Sequence, residues 1–306
     1  MKKVLLATDG SSFSEEAAWF LSHLPHADRL ELTVLTVLDD PSIARNNAAL
    51  ALQKESAARE KSMANTTYQK IAQMFVGANA TLNHIVREGH RGETIVQIAN
   101  KMEVDLVIVG ARGHSMVSRL LLGSTSDFVA THAECSVLVY RPTGLPQTNR
   151  PLKAVIGFED TATAYAALDE FAEIKWGRQT EVHVVSVVSY MTGFLNEVVI
   201  DPQPITEYAK EKVTRAAKHI AASAPSATGD VIASEHVGEG LVRFAEENKC
   251  DLVVVGETPR GAFGRFLLGS FSRYALRHAP CSVWISRNRA AASIEESNLS
   301  EASMQV

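Results

Sequence analysis
Cysteine is scarce in this chain: Cys135, Cys250 and Cys281 are the only three among 306 residues. They are too few and too scattered for a disulfide framework or a zinc site, and they read as buried thiols. Long apolar runs are also missing, since none approaches the roughly 20 residues that an α-helix needs to span a bilayer. Met1 to Lys3 leads straight into a strand pattern rather than a signal peptide, so a cytoplasmic location is expected. Nor is there an excess of positive charge. The 30 Lys and Arg stand against 35 Asp and Glu, a net charge of -5, which gives no broad basic field for nucleic acid or an anionic membrane.

What is present is an ordinary globular composition, 46% hydrophobic and 21% charged, in a chain long enough for two domains with their own cores. Val4 to Thr8 reads as a strand, ended by Asp9, Gly10 and Ser11. Ser12 and Glu15 have capping-box spacing, and Ala17, Phe20, Leu21 and Leu24 fall on one face of the helix expected to follow. Leu32 to Leu38 is a second strand, Ala48 to Phe75 a long amphipathic helix, Leu82 to Val86 a third strand and Gly92 to Met102 another helix. Leu106 to Val109 and Ser136 to Tyr140 complete five strands. This alternation predicts an α/β fold, a doubly wound five-stranded parallel sheet with helices on both faces. Ligands in such sheets bind beyond the strands' carboxyl ends, where the winding reverses. If the first and fourth strands are neighbours, the loops after Asp9 and Gly110 share one crevice.

The most informative stretch is Asp105 to Arg141, DLVIVGARGHSMVSRLLLGSTSDFVATHAECSVLVYR. Its apolar strand empties into Gly110, Ala111, Arg112 and Gly113, and Gly123, Ser124, Thr125 and Ser126 then precede a helical pattern, with hydroxyl residues expected to cap the helix. Glycines let backbone approach a ligand closely, and free N–H groups at a helix start favour anions. A phosphate cradle with spacing G-x2-G-x9-G-S follows. A tight turn with a capped helix is the plainer alternative, but strand, glycine pair, third glycine and helix occur in the order a ligand site requires.

This spacing closely resembles the nucleotide-binding signature of the universal stress protein family. The resemblance implies ATP or AMP binding, with Mg²⁺ carried by the phosphates rather than by protein side chains. It implies contacts from Ala7, Thr8, Asp9, Val37, Gly110, Arg112, Gly113, Gly123, Ser124 and Thr125, with the backbone of Val37 at the adenine. From the residues alone Asp9 serves equally as a strand terminator, and Val37 is simply a strand residue.

After a linker from Pro142 to Pro151 the chain repeats itself. Lys153 to Phe158 restates Lys3 to Thr8, and Asp251 to Arg287 matches Asp105 to Arg141 at 17 of 37 positions, the mark of a tandem duplication. The expected boundaries are residues 1–144 and 152–288, followed by a tail from 289 to 306 whose Ala, Ser and Glu carry no apolar stripe, so that disorder is expected there. The second copy keeps Gly256, Gly269 and Ser270 but has Thr258 and Pro259 where the first has Arg112 and Gly113. Proline removes an N–H, although Gly261 and Gly264 could rebuild the loop. Glu159, Asp160 and Thr161 replace Asp9, Gly10 and Ser11, adding a carboxylate that would repel a nucleotide. Both a working second site, through Gly256, Gly261, Gly269 and Ser270, and a structural or regulatory second domain stay open.

Gly238-Glu239-Gly240 resembles the start of a dinucleotide fingerprint but lacks its last glycine and its frame. His132 and His278, near helix C-termini, need no metal to explain them, and Arg119 and Arg265 serve equally as phosphate contacts or solvated loop residues. No Walker lysine follows Gly123, so nucleotide binding in a regulatory or signalling role is favoured over rapid turnover, with slow ATP hydrolysis at most. A nucleotidyl transferase or pyrophosphatase would want a Ser-Gly-Gly loop after the first strand, and Thr8-Asp9-Gly10-Ser11-Ser12 does not supply it. The remaining alternative is a nucleotide-free scaffold acting through protein partners. The apolar strands Val137 to Val139 and Val283 to Ile285 end the two copies, which suggests an intramolecular pseudo-dimer through them, compatible also with a homodimer of whole chains.

Overall fold
The computed structural model describes residues 1–25, 28–39, 47–112, 122–148, 150–189, 203–257 and 268–287. Gly113, Arg119, Thr258, Pro259, Gly261, Gly264, Arg265 and the tail from Arg289 lie outside them. The chain divides into two compact units, Met1–Pro142 and the remainder from Thr143.

The first unit runs β1 (Lys3–Thr8), α1 (Ser12–Ser22), β2 (Leu30–Leu38), α2 (Asn47–Met74), β3 (Ala80–Glu88), α3 (Arg91–Met102), β4 (Leu106–Gly110), α4 (Ser124–His132) and β5 (Ser136–Tyr140). Its strands are all parallel, in the order β3-β2-β1-β4-β5. The chain winds outward from β1 to β3, then returns past β1 to lay down β4 and β5. With right-handed crossovers this puts α1 and α2 on one face and α3 and α4 on the other, and each pair packs together. The reversal falls between β1 and β4.

Burial explains the strand assignments. Val4, Leu5, Leu6, Val107, Ile108, Val137 and Val139 are all inaccessible, because β1, β4 and β5 are covered on both faces. Edge strand β3 is only partly covered along its length. A carboxylate pins the amino ends of the central strands: Asp105, just before β4, accepts the backbone N–H groups of Lys2 and Lys3 at 2.6 and 2.9 Å.

The second unit repeats the plan: β6 (Lys153–Gly157), α5 (Ala162–Ala172), β7 (Glu181–Ser189), α6 (Gln203–His219), β8 (Ala227–Ser234), α7 (Val237–Glu247), β9 (Leu252–Gly256), α8 (Ser270–His278) and β10 (Ser282–Ser286). Its order, β8-β7-β6-β9-β10, is that of the first unit, again parallel. Asp251 takes the part of Asp105, accepting from Lys153 N at 3.0 Å and from the two terminal guanidinium nitrogens of Arg150 at 2.7 Å. All three cysteines are buried and none is in a disulfide, and burial pushes the Cys250 thiol up to about 12. Among the described residues no helix is long and apolar enough to cross a membrane.

Candidate functional site
The β1–β4 neighbourhood brings two of the predicted loops together at the carboxyl end of the first sheet. Leu6 lies beside Ile108 and Thr8 beside Thr36, so Asp9, Val37 and Gly110 reach the same rim. Asp9 is exposed, and its Oδ1 accepts the Ser11 N–H at 3.0 Å, closing a side-chain turn that Gly10 completes with a left-handed φ of 76°. The Gly10 N–H donates to Thr8 Oγ1, which in turn exchanges a 2.8 Å hydrogen bond with Ser14 Oγ. Ala7 is half-buried within β1, and the Thr8 hydroxyl is committed to this internal turn.

The cap of α1 corrects the expected Ser12–Glu15 box. Ser11 is the N-cap, its hydroxyl accepting from Ser14 N at 3.4 Å, and Ser12 already belongs to the helix. Glu15 points instead to Lys70 on α2, 2.9 Å away.

On the other side of the crevice β4 ends at Gly110. A Cβ there would stand 3.1 Å from Arg112 O and 3.3 Å from Phe13 Cβ, so this glycine lets α1 close on the strand. The Arg112 guanidinium lies over the Phe13 ring at 5.5 Å, at the mouth of the crevice. Ala111 is tied down twice: its N–H donates to Tyr140 O, and its carbonyl accepts the Gly123 N–H, both at 2.8 Å. Gly123, 13 residues after Gly110, is thereby held against the strand end.

Gly123 is the N-cap of α4, and among the described residues no side chain caps this helix. That departs from the expected hydroxyl cap, for a physical reason. The cap position falls on Gly123, which has no side chain, and Ser126, inside the first turn, donates its hydroxyl to Gly110 O at 2.6 Å and so ties the helix start to β4. Ser124 is exposed and Thr125 half-buried, and their backbone N–H groups belong to the first turn, which has no intrahelical acceptor for them. Among the described residues, a helix start without a side-chain cap, with its positive dipole end, thus lies beside Gly110. A Cβ on Gly123 would stand 3.3 Å from Ala111 O. At the same rim the buried Thr36 hydroxyl has no hydrogen-bond partner among the described residues.

The second unit builds the same place differently. Thr161 caps α5, and Asp160 is bound by Lys212 at 2.8 Å and Arg215 at 3.4 Å, both from α6. The hydrogen bond from Lys212 holds the Asp160 carboxyl below its ordinary range. Gly256 packs under α5, where a Cβ would meet Thr163 O at 3.0 Å. Gly269 and Ser270 begin α8 as Gly123 and Ser124 begin α4. The decisive difference is Glu257, in the position of Ala111. Its buried carboxylate accepts the Gly269 N–H at 2.8 Å through Oε1, and through Oε2 pairs with the Arg287 guanidinium at 2.9 and 3.2 Å. In sequence, Thr258 and Pro259 are the conspicuous departures of the second copy; one residue earlier, the exchange of Ala111 for Glu257 is the signal that marks this contact.

The other conspicuous residues have structural roles. Gly238 and Gly240 lie in the first turn of α7, against Tyr274 and against Val187 and Ser234, so they are packing glycines. His132 Nδ1 lies 2.8 Å from Phe128 O and its ring stacks on Phe128. No group of three potential metal ligands occurs among the described residues.

Two parallel α/β units of one winding order, each with a glycine-led helix facing its switch point, define a tandem protein of the doubly wound α/β class. More particularly, the chain belongs to the universal stress protein family, which it matches over residues 1–141 and 152–287. It is 29% identical over 142 residues to a universal stress protein of Methanocaldococcus jannaschii, an alignment covering 46% of this chain and 82% of that one. The crystal structure of a universal stress protein from Archaeoglobus fulgidus superposes with a TM-score of 0.63 at 17% identity, covering 94% of this chain and 96% of that one. A universal stress protein solved in complex with cAMP is 22% identical, with a TM-score of 0.34, over 45% of this chain and 94% of its own.

Proposed function
We propose that the first domain binds an adenine nucleotide, ATP or AMP, and that the protein acts in the stress response through its nucleotide-bound state. The observation that carries this reading is the start of α4. Among the described residues, Gly123 is fixed against Ala111 and offers no side-chain cap to α4, whose first-turn N–H groups have no intrahelical acceptor. Phosphates would lie against Gly123, Ser124 and Thr125, with Gly113 completing the glycine frame. Ribose and base would lie along the rim of Ala7, Thr8, Asp9 and Val37, and Arg112 at the mouth supplies a cation. Magnesium would arrive with the phosphates.

Binding is favoured over turnover because Ser124 stands where a Walker lysine would follow the glycine. The same reading includes a cytoplasmic location, domain limits near residues 144 and 152, and association of the two repeats as an intramolecular pseudo-dimer. The deciding experiment is to denature the purified chain and quantify the released nucleotide, and to titrate the stripped protein with ATP and Mg²⁺. About one nucleotide per chain, lost in Gly123→Leu because a side chain blocks close backbone approach, is the expected outcome. No released nucleotide and no binding on titration would leave the nucleotide-free scaffold as the function.

A further inference from the structure
The two copies offer an internal comparison at one point, the start of the helix after the fourth strand of each unit. In the first, the Gly123 N–H donates to the backbone carbonyl of Ala111, and the residue at that position carries no side chain beyond Cβ. In the second, the equivalent Gly269 N–H donates to a carboxylate, that of Glu257, whose side chain is 2% exposed. A negative group is therefore already seated at the positive end of α8. It is not a loosely placed side chain. Arg287, with a side chain that is fully buried, holds its other oxygen from the end of β10. The charge-assisted pair and the amide together satisfy both carboxylate oxygens.

A carboxylate in that position, where the first copy offers the same amide only a neutral backbone carbonyl, places a negative charge where the ligand's own charge would have to come. Asp160 adds a second carboxylate at the neighbouring strand end, held by Lys212 and Arg215. We propose that Glu257 is the residue that restricts nucleotide to the first domain: it acts as a built-in anion that replaces phosphate at the start of α8 and keeps Arg287 neutralised. This rests on the reading of the first domain as the nucleotide site, and the test separates the two.

The full chain, labelled with ¹⁵N, is titrated with ATP and Mg²⁺ while the Gly123 and Gly269 amide resonances are followed. The expected result is that Gly123 moves and Gly269 does not. Movement of Gly269 in the unaltered chain would overturn the proposal. A still Gly123 would instead overturn nucleotide binding by the first domain. The role of Glu257 is then decided by two variants, Glu257→Ala and the double variant Glu257→Ala with Arg287→Met, the second removing the whole pair in case a lone buried Arg287 prevents folding. At least one folded variant should show a Gly269 response to ATP or inorganic phosphate at concentrations about tenfold below any response of the unaltered chain. Folded variants in which Gly269 stays as indifferent as before would show that Glu257 excludes nothing.

Discussion
Gly10 and Asp160 occupy equivalent turns after the first strand of each repeat, and they carry opposite requirements. Gly10 has φ 76°, and a Cβ there would lie 3.2 Å from Thr67 Oγ1. Gly10→Ala should therefore destabilise the first unit by about 1–2 kcal/mol, the cost of a left-handed non-glycine residue, measured as a lower urea midpoint with an unchanged slope. Asp160 needs no such freedom; its turn is held by charge. Because Lys212 holds its carboxyl below 3.8, the favourable contribution is complete above that value and is lost as pH falls toward the folded-state pKa. The stability difference between the unaltered chain and Asp160→Asn should shrink as pH drops below 3.8, and should also weaken with salt, since the pair is solvent-accessible. A difference independent of pH would assign the effect to packing.

At the level of elements, the contrast between α4 and α8 separates what sequence pattern reveals from what it hides. The strands were legible because β1, β4, β6 and β9 are short apolar runs ending at turn residues, and burial on both faces demands such runs. The long helix α2 was legible from its run of good helix formers. The caps were not, because Ser11 and Ser12 are equally able to cap, and at α4 the cap position falls on Gly123 while Ser126, inside the first turn, bonds a strand carbonyl. Glu257 was hidden for a different reason. Read locally, an acidic residue after a strand is an ordinary terminator, and its partner Arg287 lies 30 residues further on. That contact has an energetic signature. Glu257→Ala should cost about 3–5 kcal/mol, since it leaves a buried guanidinium without its carboxylate, whereas adding Arg287→Met should recover much of the loss. Chemical denaturation of the single and double variants measures both. A double variant no better than the single would mean that the pair's packing, rather than its charge, holds the end of β10.

For the whole molecule, the consequence of duplication is that one fold occurs twice with two different acceptors at the start of its last helix. Each unit has its own five parallel strands and its own buried core, including Leu5, Leu6 and Ile108 in the first and Ile156, Val253 and Ile285 in the second. A ligand that binds only the folded first domain stabilises that domain by mass action, by about 2.7 kcal/mol at a hundredfold excess over Kd, and does nothing directly for the second. Calorimetry of the full chain with ATP and Mg²⁺ should therefore raise part of the unfolding profile, and Gly123→Leu should return that part to its ligand-free position. Movement of the entire profile would show that the two cores unfold as one cooperative unit, so that nucleotide in the first domain reaches the second through coupled stability. A profile that ATP leaves untouched would remove the nucleotide from the account of the first domain. Partial movement would instead give the second domain its meaning, as a copy of the same fold whose anion position is filled by its own glutamate and whose stability no longer depends on the ligand.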